Sequence, residues 1–408
     1  MKARMASFVL GGVLSLGASV GASPPAVPAA APTTILPGST SCCPPPITAC
    51  PPVSACPSVA ALPACDQGLG LRFEADAEFL LWWLRPDGLP PLAVATIFPE
   101  FGGPPGVTRR TVLGDSHIGD NPNPGGRFAG RVFTEQGIGF GVSGFFLDQS
   151  SQSTSLPAYP PLSAPIFNAA TGQPIDWPLV GGFNNGGVAL DYSTTFWGLE
   201  GNAYFRAIDE SDFRLDFFGG FRFLQLTEGL TFSRQIFNQR LLFSLNGYDT
   251  FDTQNDFYGG QLGARAQFAY QHFVFSATGQ VALGSTCSSV DIRGSNTFEL
   301  AGFDRETTPG SVFSQDSNIG HHTRSQLSII PQINLAVGYR CFDWCTVSVG
   351  YDFLYWNRIV RPGEQIDRSF TFAQAGNAAA IGAARPAATL DATDFWAQGL
   401  TFSLLFAF

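Results

Sequence analysis

The chain has 408 residues and is poor in charge, in lysine and in histidine. Charged residues make up 13% of it, about half of the roughly 25% usual in globular proteins. Nearly all of its 22 basic residues are Arg. A soluble domain with so few ions would struggle to cover its surface. Past the N-terminal segment there is no apolar run of ~18 residues, so no transmembrane helix is expected. The net charge of −10 argues against nucleic acid, which wants a basic surface. The four histidines are His117, His272, His321 and His322. His321 and His322 fall in a stretch that reads as a long loop, with Asp316 close by. Two adjacent imidazoles usually need further ligands before they hold a metal, so no metal and no cofactor are expected.

What is abundant is Phe, with 38 residues, and Gly, with 46. The N-terminus carries Lys2 and Arg4, a short apolar core from Phe8 to Leu16, and the small-residue pattern Val20-Gly21-Ala22. Residues 1–22 therefore read as a signal peptide. Residues 23–70 read as a Pro/Cys-rich periplasmic linker, without packed structure, that holds Cys42, Cys43, Cys50, Cys56 and Cys65. Export permits disulfides there, and the absence of a CxxC pair excludes a zinc ribbon. Cys341 and Cys345 flank Phe342-Asp343-Trp344 and are placed to staple a short turn, which would leave Cys287 unpaired.

From residue 71 onward the pattern has period two, as in a strand with two unlike faces. Leu71, Phe73, Ala75, Ala77, Phe79, Leu81 and Trp83 are apolar, and Arg72, Glu74, Asp76 and Glu78 lie between them. Similar alternation places Arg214, Asp216 and Arg222 opposite Phe213, Leu215, Phe217, Phe221 and Phe223. It places Arg265 opposite Leu262, Ala264, Ala266 and Phe268. Ten strands are expected at 71–84, 125–133, 137–147, 188–206, 212–226, 257–270, 273–284, 326–340, 345–356 and 396–408. Pro331 must sit at a bulge or lose a ladder bond.

The gaps between these strands alternate in length. Short ones fall at 134–136, 207–211, 271–272 and 341–344. Long ones fall at 85–124, 148–187, 227–256, 285–325 and 357–395. Short turns on one side and long loops on the other are the build of an outer-membrane barrel. The fold class is therefore all-β: a transmembrane, antiparallel, up-and-down β-barrel over residues 71–408. It has about ten strands, or twelve if a loop hides a further hairpin, with long external loops and short periplasmic turns. Trp82, Trp83, Tyr355 and Trp356 suit the external interface, and Tyr204, Phe205, Tyr270 and Tyr339 the periplasmic one. In the last strand Leu400, Phe402, Leu404, Phe406 and Phe408 alternate with Thr401, Ser403, Leu405 and Ala407. Phe402, Phe406 and Phe408 resemble the signal read by the barrel-assembly machinery of Gram-negative bacteria.

The inward charges Arg72, Glu74, Asp76, Glu78, Arg127, Arg131, Arg214, Asp216, Arg222 and Arg265 are expected to line the lumen and pair across it, since pairing lowers the cost of burying charge. Such a lining either sets ion selectivity in an open pore or packs as a plug. Gly139-Phe-Gly141-Val-Ser-Gly144 fits GxGxxG, but it lies within a strand with no helix after it, so it is no dinucleotide site. His117, next to Asp115 and Ser116, has a catalytic look only through sequence proximity. No catalytic residues are expected.

Several segments resemble beta-barrel porin family seven of planctomycetes. They are Phe79–Arg85 with Pro90-Pro91-Leu92, Gly125–Phe128, Phe196–Arg206, Phe218–Thr227, Asn255–Gly263 and Gly399–Phe408. The resemblance implies a porin fold in the bacterial outer membrane, with outer-membrane lipid, the assembly machinery and small solutes or ions as partners. It supplies no catalytic residues. The function expected is passive passage of small solutes or ions through a narrow lumen. The alternative is a non-transporting structural or adhesive surface barrel that acts through its loops.

Overall fold

A computed structural model describes residues 70–98, 106–181, 184–372 and 383–408. Residues 1–69, which hold the stretches expected as a signal peptide and linker and the five cysteines of the latter, lie outside the described residues. Ten strands form the barrel: β1 (Arg72–Leu84), β2 (Pro122–Phe133), β3 (Ile138–Leu147), β4 (Asn185–Asp209), β5 (Phe213–Asn238), β6 (Phe243–Tyr270), β7 (Phe273–Leu300), β8 (Gly320–Phe342), β9 (Cys345–Val360) and β10 (Ala392–Ala407). Each pairs antiparallel with its sequence neighbour. β10 pairs with β1 and closes the ring. At that seam Phe73 and Phe408 exchange two backbone hydrogen bonds, of 2.9 and 2.8 Å.

Two different solvents explain the side-chain pattern. Phe217 and Phe221 on β5 point outward, as do Leu262 and Phe268 on β6 and Leu327 and Leu335 on β8, and all are exposed. Leu262 is 75% exposed, which water would not favour but lipid does. On β6 the outward face turns polar above Tyr258: Asp256, Gln254, Asp252 and Thr250. On β7 it turns polar above Leu283: Ser285, Cys287, Ser289 and Asp291. The apolar band thus runs over Tyr258–Tyr270 on β6 and Phe273–Leu283 on β7, close to the ~9–11 residues a tilted spanning strand needs. Trp197, Phe223 and Tyr258 pack as tilted rings in a row at its outer edge, with ring centroids 5.1 and 5.0 Å apart.

β5, β6 and β7 have 26, 28 and 28 residues, so they continue far beyond the membrane. The connection between β5 and β6 is a hairpin at 239–242, not a loop over 227–256. The stretch expected as a loop at 285–325 shortens to 301–319, and His321 and His322 stand in β8. The physical reason is a change of environment. Outside the membrane the outward face meets water and the inward face meets protein, so the strands there are polar-out and apolar-in.

That inward face helps form a folded extracellular head. The head contains a five-stranded sheet built from 93–97, 108–113, 162–168, 174–180 and 369–370. Its core gathers Leu92, Ile166 and Leu179 with Leu230, Phe232, Phe251 and Phe313, all at most 1% exposed. Asp249 fixes the segment before β8. Its carboxylate accepts the backbone N–H groups of Val312, Phe313 and Ser314 and the Ser314 hydroxyl.

Pro331 ends the ladder between β8 and β9, whose pairing begins at Gln332–Leu354. The Asn357 side chain takes over by accepting the Ile329 N–H at 2.8 Å. The expected staple is not formed: Cys341 and Cys345 are free thiols, as is Cys287. A register shift after Arg340 sets Phe342, rather than Cys341, opposite Cys345.

Candidate functional site

The lumen is layered along the barrel axis. Its periplasmic end holds an ion network. Arg131 bridges Glu74 at 3.2 Å and Asp76 at 2.5 Å, both on the neighbouring strand. Arg127 bridges Glu78 at 2.9 Å and Asp352 at 3.2 Å, the latter across the lumen. Arg206 binds Asp216 at 2.8 Å, and Arg214 and Arg265 each approach Glu74 at 3.5 Å. Glu74, Asp76, Glu78, Arg127, Arg131, Asp216, Arg222 and Arg265 therefore lie inside, as the alternation predicts. Arg72 does not line the lumen. It begins β1 at the periplasmic rim, has a side chain 64% exposed, and meets Asp209 at 3.3 Å. Arg214 is half-buried at the same rim.

Period two also predicts Glu200, Arg206 and Asp352, which share inward parity with Asn202 and Leu354 but were absent from the expected lining. The network surrounds a cavity of about 140 Å³, lined on one side by Asp76, Glu78, Arg127 and Arg131 and on the other by Thr278, Asn334, Ser348 and Ser403. A cavity of about 20 Å³ lies above it, between Arg127, Glu200, Arg222 and Gln332. That is room for one water.

Above this point the inward face becomes apolar. Leu80 and Trp82 on β1, Phe196 on β4, Phe257 on β6, Leu354 and Trp356 on β9 and Phe395 on β10 are fully buried in one cluster. Trp82 and Trp356 thus face inward rather than the lipid interface, and Tyr204 lines the lower cavity. The cluster spans the barrel. β4 and β9 are on opposite sides of the ring, yet the Phe196 and Trp356 rings are 6.4 Å apart. Phe196 also meets Phe395 at 5.3 Å and Phe145 at 5.0 Å. Trp356 donates its indole N–H to Thr286 Oγ1 at 2.9 Å. This layer forms a septum.

A buried latch sits on the septum's outer side. Arg361, just past β9, donates Nε to Glu228 Oε2 at 3.0 Å and Nη2 to Glu228 Oε1 at 2.5 Å. It also donates to the backbone carbonyls of Arg85 and Pro86 at 2.8 and 3.0 Å. Tyr192 donates its hydroxyl to Glu228 at 2.5 Å. Asp87 lies 3.7 Å from Arg361 and accepts the Gly363 N–H at 2.8 Å. The latch joins the segments after β1 and β9, which flank β10, to Glu228 of β5 across the barrel mouth. Burial, with Glu228 nearby, pushes the Asp87 carboxyl up to about 7, against the pull of Arg361. Glu228 and Arg361 fall within the stretches expected as loops, 227–256 and 357–395.

His117 stands in a short strand that pairs 116–118 with 87–89, and it makes no ion pair among the described residues. His321 meets Asp291 at 3.1 Å on the exposed wall. Among the described residues no three His, Cys, Asp or Glu side chains gather to hold a metal.

A closed barrel of ten strands, with an apolar band outside and ions within, is an integral protein of the bacterial outer membrane. The chain belongs to the family described as "Putative beta barrel porin-7 (BBP7)", whose model matches residues 75–408. It is thus of porin-like kind. No curated protein matches it in sequence. Among solved structures it is similar to the outer membrane protease OmpT from Escherichia coli, at 8% identity and TM-score 0.40, covering 83% of this chain and 97% of that one. It is also similar to the Pseudomonas putida toluene transporter TodX, at 9% identity and TM-score 0.21, covering 83% and 89%.

Proposed function

We propose that this barrel is a porin-like pore for passive passage of small solutes or ions, shut in the state described, and not an enzyme. The observation that carries the reading is the meeting of Phe196 and Trp356 across the lumen, directly above a polar cavity. A polar chamber beneath a thin apolar septum suits a closed pore: solute enters from the periplasmic side and stops at the rings. Passage then requires the septum to part and the Arg361 latch to release the mouth.

A second reading is favoured by the packed head. Its core around Phe232, Phe251 and Phe313 is larger than closure alone needs, which suits a structural or adhesive surface barrel. Planar bilayers separate the two readings. Wild-type protein should give rare, brief openings. Phe196→Ala combined with Trp356→Ala should give frequent stepwise conductance. Steady wild-type conductance would refute the shut septum. A silent double variant, folded by circular dichroism, would eliminate passage and leave the surface reading.

A further inference from the structure

We infer that the periplasmic chamber selects uncharged, hydroxyl-bearing solutes over ions of either sign. The inference rests on the porin-like reading and names its solute class.

The chamber has two unlike walls. One, from β1 and β2, is charged, but its charges are already matched: Asp76 with Arg131, Glu78 with Arg127. Arg127 also takes Asp352 from β9, and Arg265 reaches Glu74. Glu200 and Arg222 form no direct bridge, but they face one small cavity with opposite signs. A visiting ion therefore finds the charges of β1 and β2 already bridged, and Glu200, which also lines the chamber without a bridge, already accepting hydrogen bonds from Ser143 and Gln261. To bind, it would have to break a bridge held at low exposure, where an unpaired charge is costly.

The other wall, from β7 to β10, carries no charge at the cavity. Ser276, Thr278, Asn334, Thr346, Ser348 and Ser403 turn hydroxyls and an amide toward it. Such groups both donate and accept, so they can replace the water lost by a solute's hydroxyls. An ion losing its hydration shell gains much less from them. A neutral polyol can thus use one whole wall without disturbing the other.

The inference can be tested without opening the septum. In a background with all native cysteines replaced by Ser, Ser276→Cys places a thiol in the chamber. It is then treated with neutral, cationic and anionic thiol reagents of equal size. The neutral reagent should react fastest, relative to its rate with a free thiol. The two charged reagents should differ by less than about threefold, since a lumen of one sign separates them by about tenfold or more. A charged reagent that matches the neutral one would overturn the inference. So would a tenfold preference for either sign. Glu78→Gln leaves Arg127 in excess and should shift the preference toward the anionic reagent. If Ser276→Cys perturbs folding, Ser403→Cys reports from the same wall. The porin-like reading fails separately, through silence of the septum variant in bilayers.

Discussion

At the residue scale the latch is the most exposed to test. Arg361 and Glu228 are nearly fully buried, and their bridge is bidentate. Removing one partner of a buried pair leaves an uncompensated charge and typically costs about 3–5 kcal/mol. Glu228→Gln should therefore lower the stability of the head by that order, seen as a lower urea midpoint in micelles. Unchanged stability would mean that the bridge contributes nothing to the mouth. Asp87 adds a pH dependence with a definite sign. Its folded value of about 7 lies above the ordinary aspartate value of 3.8, so the folded state favours the protonated acid. The contribution of Asp87 to the latch's stability is full below about pH 4 and falls as pH rises through 7. Wild type should unfold more readily at about pH 8 than at about pH 5. Asp87→Asn should remove most of that difference. An equal slope in wild type and variant would assign the dependence to another group.

At the element scale the strands read differently above and below one level. Below it, alternation is apolar-out and polar-in, and the sequence pattern shows it plainly on β5, β6 and β8. That is why the strand count and the inward placement of Glu74, Asp76, Arg131 and Arg265 were legible. Above it the phase inverts: on β5, Leu230 and Phe232 face inward while Thr231 and Ser233 face out. A reading tuned to an apolar outer face sees only loop there. The same blindness hid the septum. In Phe79–Leu84 both faces are apolar, so the inward Leu80 and Trp82 look like more lipid surface. The level itself is testable on a single strand. Ala277 and Ser289 both point outward from β7, one in mid-band and one above it. Arg at a lipid-facing midplane position costs about 2–4 kcal/mol and little near the interface. Ala277→Arg should destabilise the barrel in vesicles by that order, and Ser289→Arg by far less. Equal costs would refute the boundary drawn above Leu283.

At the scale of the whole molecule, the barrel joins two kinds of protein. Its lower half is organised for lipid outside and ions inside, and its upper half is organised as a water-soluble domain around its own core. This division fixes the orientation, because the long extensions and the head must stand on the side away from the short turns at 134–137, 210–212, 271–272 and 343–344. Native thiols mark both sides. Cys287 is exposed on the outer wall of β7, two residues above Ser285 and beyond the apolar band. Cys341 is exposed beside the 343–344 turn at the opposite end. A bulky, membrane-impermeant thiol reagent applied to intact cells should label Cys287 and spare Cys341. Permeabilising the outer membrane should then expose Cys341, as peptide mapping would show. Labelling of Cys341 on intact cells, with Cys287 protected, would invert the topology and put the head, the latch and the septum's outer face in the periplasm.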